Sequence, residues 1–165
     1  MDEARLSFRK TSMNKFPLAI ALSISFLTIA HAQEDFDPQP IIEGRQAALR
    51  DIGAAFKSIN DEFKKSQPTL ALIRQYARQI DDLTKQQKFW FPKGTGPETE
   101  IEMQAKPEIW QKPAEFKGAQ DALTQQVSKL VAVTAGTDLA AIKAQTQQLG
   151  RTCKGCHDKF REEDE

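Results

Sequence analysis

Cys153-Lys154-Gly155-Cys156-His157 is the stretch on which the reading of this 165-residue chain turns. Its pattern is C-x-x-C-H, the signature of covalent c-type haem attachment. The spacing has a mechanical reason. On a helix, positions i, i+3 and i+4 share one face, so Cys153, Cys156 and His157 point the same way. Two thiols so placed add to the two vinyl groups of one porphyrin while the imidazole reaches its iron, which makes His157 the candidate proximal ligand. A redox dithiol would want a βαβ setting, and no strand-like alternation surrounds the motif. A structural zinc would need a fourth ligand and a second ligand pair, which the chain does not supply. A plain disulfide stays open as the bland alternative.

The helix that the motif requires extends outward from it. Leu139, Ile142, Leu149, Cys153, Cys156 and Phe160 fall at helical spacing, with Thr137 expected as the cap and Asp138 favouring the positive end. Gly136 closes a preceding helix over about residues 114–135, with the stripe Phe116, Ala119, Leu123, Val127 and Leu130. Before it, residues 89–113 hold six Pro and Gly residues and the aromatics Phe89, Trp90, Phe91 and Trp110. A connection this long inside a small domain is usually functional or covers something. Its aromatics are either core plugs or a wall against a porphyrin. Earlier still, Ile41, Arg45, Ala48, Leu49, Ile52, Phe56, Ile59 and Phe63 mark a first helix with Pro40 in its first turn. Leu70, Ile73, Ala77, Ile80 and Leu83 mark a second, with Ser66 and Pro68 as its start signal. Four amphipathic helices, joined by short, long and short links, predict an all-α, antiparallel up-down-up-down four-helix bundle with a covalently bound haem c.

Residues 1–32 read as a secretory signal. Arg5, Arg9, Lys10 and Lys15 form a basic region, residues 17–30 an apolar run, and Ala30-His31-Ala32 a cleavage site. The run is shorter than the ~20 residues that a membrane-spanning helix needs. Cleavage is expected after Ala32, with residues 33–40 a polar, flexible leader and residues 41–165 the bundle. Met13 is a possible alternative initiator to Met1.

Taking 32 residues from 165 leaves 133, a single domain able to bury a real core. Of the 23 basic and 23 acidic residues, the signal removes four and two, leaving 19 against 21, a net charge of −2. No basic excess points to nucleic acid or an acidic membrane surface. The signal also removes His31, Met1 and Met13, so His157 and Met103 become the single His and single Met. A second axial His is thereby excluded, and a Met sixth ligand could only be Met103.

Five segments carry a family resemblance: Arg45-Gln46-Ala47-Ala48-Leu49; Phe91-Pro92-Lys93-Gly94-Thr95; Ala105-Lys106-Pro107-Glu108-Ile109-Trp110; Phe116-Lys117; and residues 153–161. Together they resemble the class II c-type cytochromes, specifically cytochrome c′. That family is itself a standing example of the up-down-up-down bundle, so the topology is not independent support for it. The resemblance implies thioethers at Cys153 and Cys156, iron on His157, and export across the inner membrane to the periplasm, where haem is attached. It implies that Leu49 lies over the open face of the haem, a place where low-spin members carry Met and high-spin members an apolar residue. It places Arg45 and Gln46 near a haem propionate, Phe91, Trp110 and Phe116 around the pocket, and Arg161 on the proximal face, linked to nitric oxide handling. It also implies a homodimer through the first two helices. The segment after Lys88 departs from the Trp-Ala-Ala-Phe run of some members.

Two functions follow from this reading. One is a gas-binding haem protein, not an enzyme, whose five-coordinate iron takes nitric oxide or carbon monoxide and can also pass electrons. The other is a low-spin electron carrier with Met103 or a lysine as sixth ligand and a redox partner protein. A third, a structural bundle without haem, would be colourless on purification.

Overall fold

The computed structural model describes residues 36–163. The expected signal peptide and the first residues of the leader lie outside them. Among the described residues five α-helices occur in the order α1 Gln39–Glu62, α2 Leu70–Thr84, α3 Glu108–Gln111, α4 Pro113–Thr134 and α5 Leu139–Phe160, with two short 3-10 turns between α2 and α3. No strand is present among the described residues, only an isolated bridge between Ala105 and Arg161. Around the bundle α1 packs on α2, α2 on α4 and α4 on α5, while α5 and α1 approach each other only sparsely.

The helix starts differ from expectation in instructive ways. Helix α1 begins at Gln39, two residues early, because Pro40 fits its first turn and no backbone N–H is lost there. Helix α2 begins after Thr69 rather than at Ser66, and the Thr69 N–H donates to Glu62 Oε2 at 2.9 Å. A carboxylate from the previous helix thus takes up a donor that the expected serine would have capped. Helix α5 is capped by Asp138, not Thr137. The Asp138 Oδ1 accepts from the Ala140 and Ala141 amides at 2.9 and 3.0 Å, as a cap residue should.

The main core combines Ile52, Ala55, Ile59, Ile73, Ala77, Ile80, Val127, Leu130, Ile142 and Leu149. In α1 the buried face is Ile42, Arg45, Ile52, Ala55, Ile59 and Glu62. It is therefore turned slightly from the expected stripe. Ile42 is buried in place of Ile41, Ala55 lies deeper than Phe56, and Leu49 is 41% exposed. A separate cluster of Ile109, Phe116 and Phe160 sits at the other end, flanked by Phe91, Trp110 and Cys156. Its rings meet edge to face: Phe91 on Phe116 at 4.9 Å and Phe116 on Phe160 at 5.1 Å between centroids, a favoured aromatic geometry.

The long connection is ordered by a few polar ties. Thr95, fully buried, donates to the Pro92 carbonyl at 2.8 Å, and the indole of Trp110 donates to the same oxygen at 3.0 Å. Between them Gly94 takes φ +84°, a left-handed conformation that glycine adopts without strain.

Candidate functional site

The three motif residues lie in the last two turns of α5. Cys153 and Cys156 are free thiols, half-buried, with no disulfide between them. Cys153 packs against the main core and Cys156 against the aromatic cluster. Burial pushes the Cys153 thiol up, and burial with the neighbouring Cys153 pushes Cys156 up to about 11. Both thiols are therefore protonated at neutral pH. Cys156 also borders an open groove between α4 and α5 lined by Gly118, Ala119, Ala122, Thr152 and Gly155. Small side chains there leave room beside the sulfur.

His157 is exposed at the surface of α5. Partial burial, and then the Arg161 guanidinium, hold its pKa below the ordinary histidine value. The shift favours neutral imidazole, the form that ligates a metal.

The facing wall comes from α1. Arg45 and Gln46 near its start, and Phe160–Glu162 at the end of α5, bond to the same segment, residues 102–106. The two helices are therefore antiparallel, with these ends together. They touch at Gly150, where an added Cβ would lie 3.0 Å from the tip of the Phe56 ring. Seven residues along a helix span two turns, about 10 Å. Leu49 lies seven residues before Phe56, and His157 seven after Gly150. Leu49 and His157 thus stand at about the same level, on the same side of that contact. Both are exposed there, although Arg45 and Ile52, one turn to either side of Leu49, are buried.

Arg45 is 2% exposed, with its guanidinium facing the Phe91 ring at 4.9 Å and the Trp110 ring at 5.4 Å. It donates to Thr95 Oγ1 at 3.0 Å, to Met103 Sδ at 3.1 Å and, more weakly, to the Trp90 carbonyl at 3.4 Å. Burial lowers its pKa, opposed by the charge of Glu98. Among the described residues no carboxylate comes within ion-pair distance of it. Gln46 donates to the Glu102 carbonyl at 3.1 Å. Arg161 caps α5 with extended backbone, and its Nε donates to Gln104 Oε1 at 2.9 Å.

The expected site residues therefore converge on one end of the bundle. Leu49 and His157 stand exposed at one level of α1 and α5, Cys153 and Cys156 pack beside them on the main core and the aromatic cluster, and Phe91, Trp110 and Phe116 belong to that cluster. Arg45 and Gln46 are directed into the long connection. Sequence reasoning missed Thr95, Met103 as the Arg45 acceptor, and Gln104. For Thr95 and Met103 the signal was Arg45 on the apolar stripe of α1, since a buried cation needs acceptors close by.

The donor set fits a covalent porphyrin. Two free thiols one turn apart and an adjacent imidazole match its vinyl groups and iron. A haem held this way at the end of an antiparallel helical bundle marks one class, the helical c-type haem proteins.

Comparison with known proteins narrows the class. The sequence profile described as Cytochrome C′ matches residues 40–161. The chain is 30% identical over 125 residues to cytochrome c′ of Pararhodospirillum photometricum, covering 76% of this chain and 98% of that protein. It is 48% identical over 59 residues to cytochrome c′ of Rubrivivax gelatinosus, a match spanning 36% of this chain and 46% of that protein. The crystal structure of the Rubrivivax protein superposes with a TM-score of 0.70 at 33% identity, covering 76% of this chain and 97% of that one. A nitric oxide complex of a leucine-to-alanine variant of cytochrome c′ from Alcaligenes xylosoxidans superposes with a TM-score of 0.69 at 26% identity, covering 78% and 98%. The chain belongs to the cytochrome c′ family. It carries the family's single covalent haem c, with Cys153 and Cys156 as its two attachment thiols.

Proposed function

We propose that this protein binds a diatomic gas, nitric oxide or carbon monoxide, at a five-coordinate, high-spin haem iron, and does so without being an enzyme. The haem supplies an iron with one open position and a one-electron couple. The chain's residues do the rest. His157 holds the iron from α5. Leu49, at the same level on α1, would stand across from it, too apolar to ligate and bulky enough to restrict what enters. The observation that carries the reading is the exposed pair, Leu49 and His157, at one level of α1 and α5, two turns from the Phe56–Gly150 contact.

Met103 bears on the competing reading, a low-spin electron carrier. Its sulfur accepts from Arg45, so ligation would require that bond to break. The nitric oxide complex of the Alcaligenes relative supports the choice of gas by family likeness. Electron transfer remains compatible with a five-coordinate iron as a secondary use. The proposal includes export to the periplasm, with cleavage after Ala32, and a homodimer through α1 and α2. N-terminal sequencing and sedimentation test those two parts.

The deciding experiment is the visible spectrum of the ferrous protein with and without carbon monoxide. Broad high-spin bands that sharpen on adding the gas are expected. Sharp low-spin bands indifferent to carbon monoxide would overturn the assignment and point to Met103 or a lysine.

A further inference from the structure

Thr84 closes α2 with a hydroxyl that the protein itself does not use. The residue is 1% exposed, and its Oγ1 is the one buried side-chain oxygen or nitrogen among the described residues without a hydrogen-bond partner. A buried hydroxyl in that position has given up water and received nothing for it. A helix offers a ready remedy, because a threonine can donate to a backbone carbonyl three or four residues back. The other four helical threonines do so: Thr124 to Gln120, Thr134 to Val131, Thr146 to Ile142 and Thr152 to Gln148. The Thr84 hydroxyl is not spent on its own helix.

Its surroundings follow from the stripe it belongs to. Ile73, Ala77, Ile80, Thr84 and Gln87 are buried and recur at steps of four and three, so they share the inner face of α2 and the turn after it. To one side the Trp90 carbonyl accepts from Arg45 of α1; to the other Gln87 donates to Gln120 and Thr124 of α4. Helix α2 packs on α1 and α4, and α5 stands across the bundle from it. The end of α2 lies beside the start of α1, hence at the end of the bundle where α5 carries Cys153, Cys156 and His157. Cys153 packs against the same core as Ile80, one turn before Thr84. Thr84 therefore borders the interior that a haem attached at Cys153 has to enter.

A porphyrin joined through both vinyl groups and its iron keeps two carboxylates for hydrogen bonding. A bond from a hydroxyl to a carboxylate is charge-assisted and among the strong ones. We infer that Thr84 is a haem-binding residue: its hydroxyl donates to one of the porphyrin carboxylates. The inference rests on haem attachment at Cys153 and Cys156, and not on how many ligands the iron has.

The test uses the haem-loaded full chain in the ferric state without added gas. Resonance Raman spectra report the bending mode of the haem propionates, whose frequency rises with the strength of the hydrogen bonds they accept. Wild type is compared with Thr84→Val, which keeps the shape and removes the hydroxyl, and with Thr84→Ser, which keeps the hydroxyl. The band should move to lower frequency in Thr84→Val and hold its place in Thr84→Ser. Its shift in deuterium oxide should be smaller in Thr84→Val than in the other two. Thr84→Ala gives the same comparison should the valine variant not fold. A propionate band that neither removal of the hydroxyl moves would overturn the inference. A lower melting temperature beside that unchanged band would assign the hydroxyl to a buried water instead. The carbon monoxide spectrum is read on the ferrous form of the same samples, so a failure of the gas-binding reading shows separately from a failure of this one.

Discussion

Leu49→Ala separates a residue that guards a ligand from one that fills a core. Fully burying a leucine side chain stabilises by about 1.5–3 kcal/mol. Leu49 is 41% exposed, so only some three fifths of that, about 1–2 kcal/mol, depends on its contacts with the protein. Ile52, three residues on and 8% exposed, is an ordinary core residue. Its truncation to alanine costs about 2–5 kcal/mol, because a cavity is left behind. In a domain of this size 1 kcal/mol shifts the melting temperature by roughly 3–5 °C. Leu49→Ala should therefore melt within about 10 °C of wild type, and Ile52→Ala clearly lower. The functional effect should be reversed in order. Removing the side chain facing His157 should speed carbon monoxide association on the order of tenfold, the rate equivalent of about 1.4 kcal/mol of crowding. Ile52→Ala should leave the rate close to wild type. The assays are thermal melts and flash photolysis on the haem-loaded proteins. Equal melting losses for the two variants, or an unchanged association rate in Leu49→Ala, would refute the placement of Leu49 at the open face. Leu49→Met offers a converse check, since a thioether is an established axial ligand and should draw the iron toward a low-spin state.

Haem should remain on the polypeptide through denaturing electrophoresis and acid-acetone extraction. Cys153→Ala and Cys156→Ala should each weaken retention and the double change abolish it; free extraction from wild type would sink covalent attachment. Glu62 carries the pH prediction. Hydrogen bonds from Lys65 and from the Thr69 N–H hold its carboxyl below the usual value of 4.5. Its contribution to stability is thus present above that value and lost as pH falls through the lower, folded one. The melting difference between wild type and Glu62→Gln should be largest at neutral pH and close in acid. A difference that does not vary between pH 7 and pH 3 would show that the carboxylate does no such tying of α1 to α2.

The helical layout was legible because each helix carries its own signal. Apolar spacing in residues 41–63, 70–83, 116–130 and 139–160 recurs at the helical period, and Pro40 and Gly136 punctuate it. Cap identity was less legible. Ser66 and Thr137 are as good caps by composition as the residues that follow them, and the choice fell to tertiary bonds and local geometry at Thr69 and Asp138. The motif cysteines and histidine could be read because one helix brings them together over five residues. The other side of the site could not. Arg45 meets Thr95 and Met103 across separations of 50 and 58 residues, and no local pattern encodes that. The exposure of Leu49 was equally hidden, since its spacing from Arg45 and Ile52 is that of a core position.

What opens the site is a matter of where two helices are allowed to touch. Phe56 and Gly150 bring α1 and α5 together, and the absence of a side chain on Gly150 permits the approach. Leu49 and His157 both lie on one side of that contact, toward the start of α1 and the end of α5. The exposed apolar surface of Leu49 favours collapse of α1 onto its neighbour. Arg45 works against that. Its guanidinium is spent on Thr95, Met103 and the faces of Phe91 and Trp110, so the start of α1 is anchored to the long connection rather than to α5. The same connection anchors the end of α5 through Lys106 and Gln104. Both helix ends are thus tied to a third element and not to each other. A planar group needs that arrangement: two walls held at a fixed separation, with the thiols and imidazole on one and an apolar residue on the other.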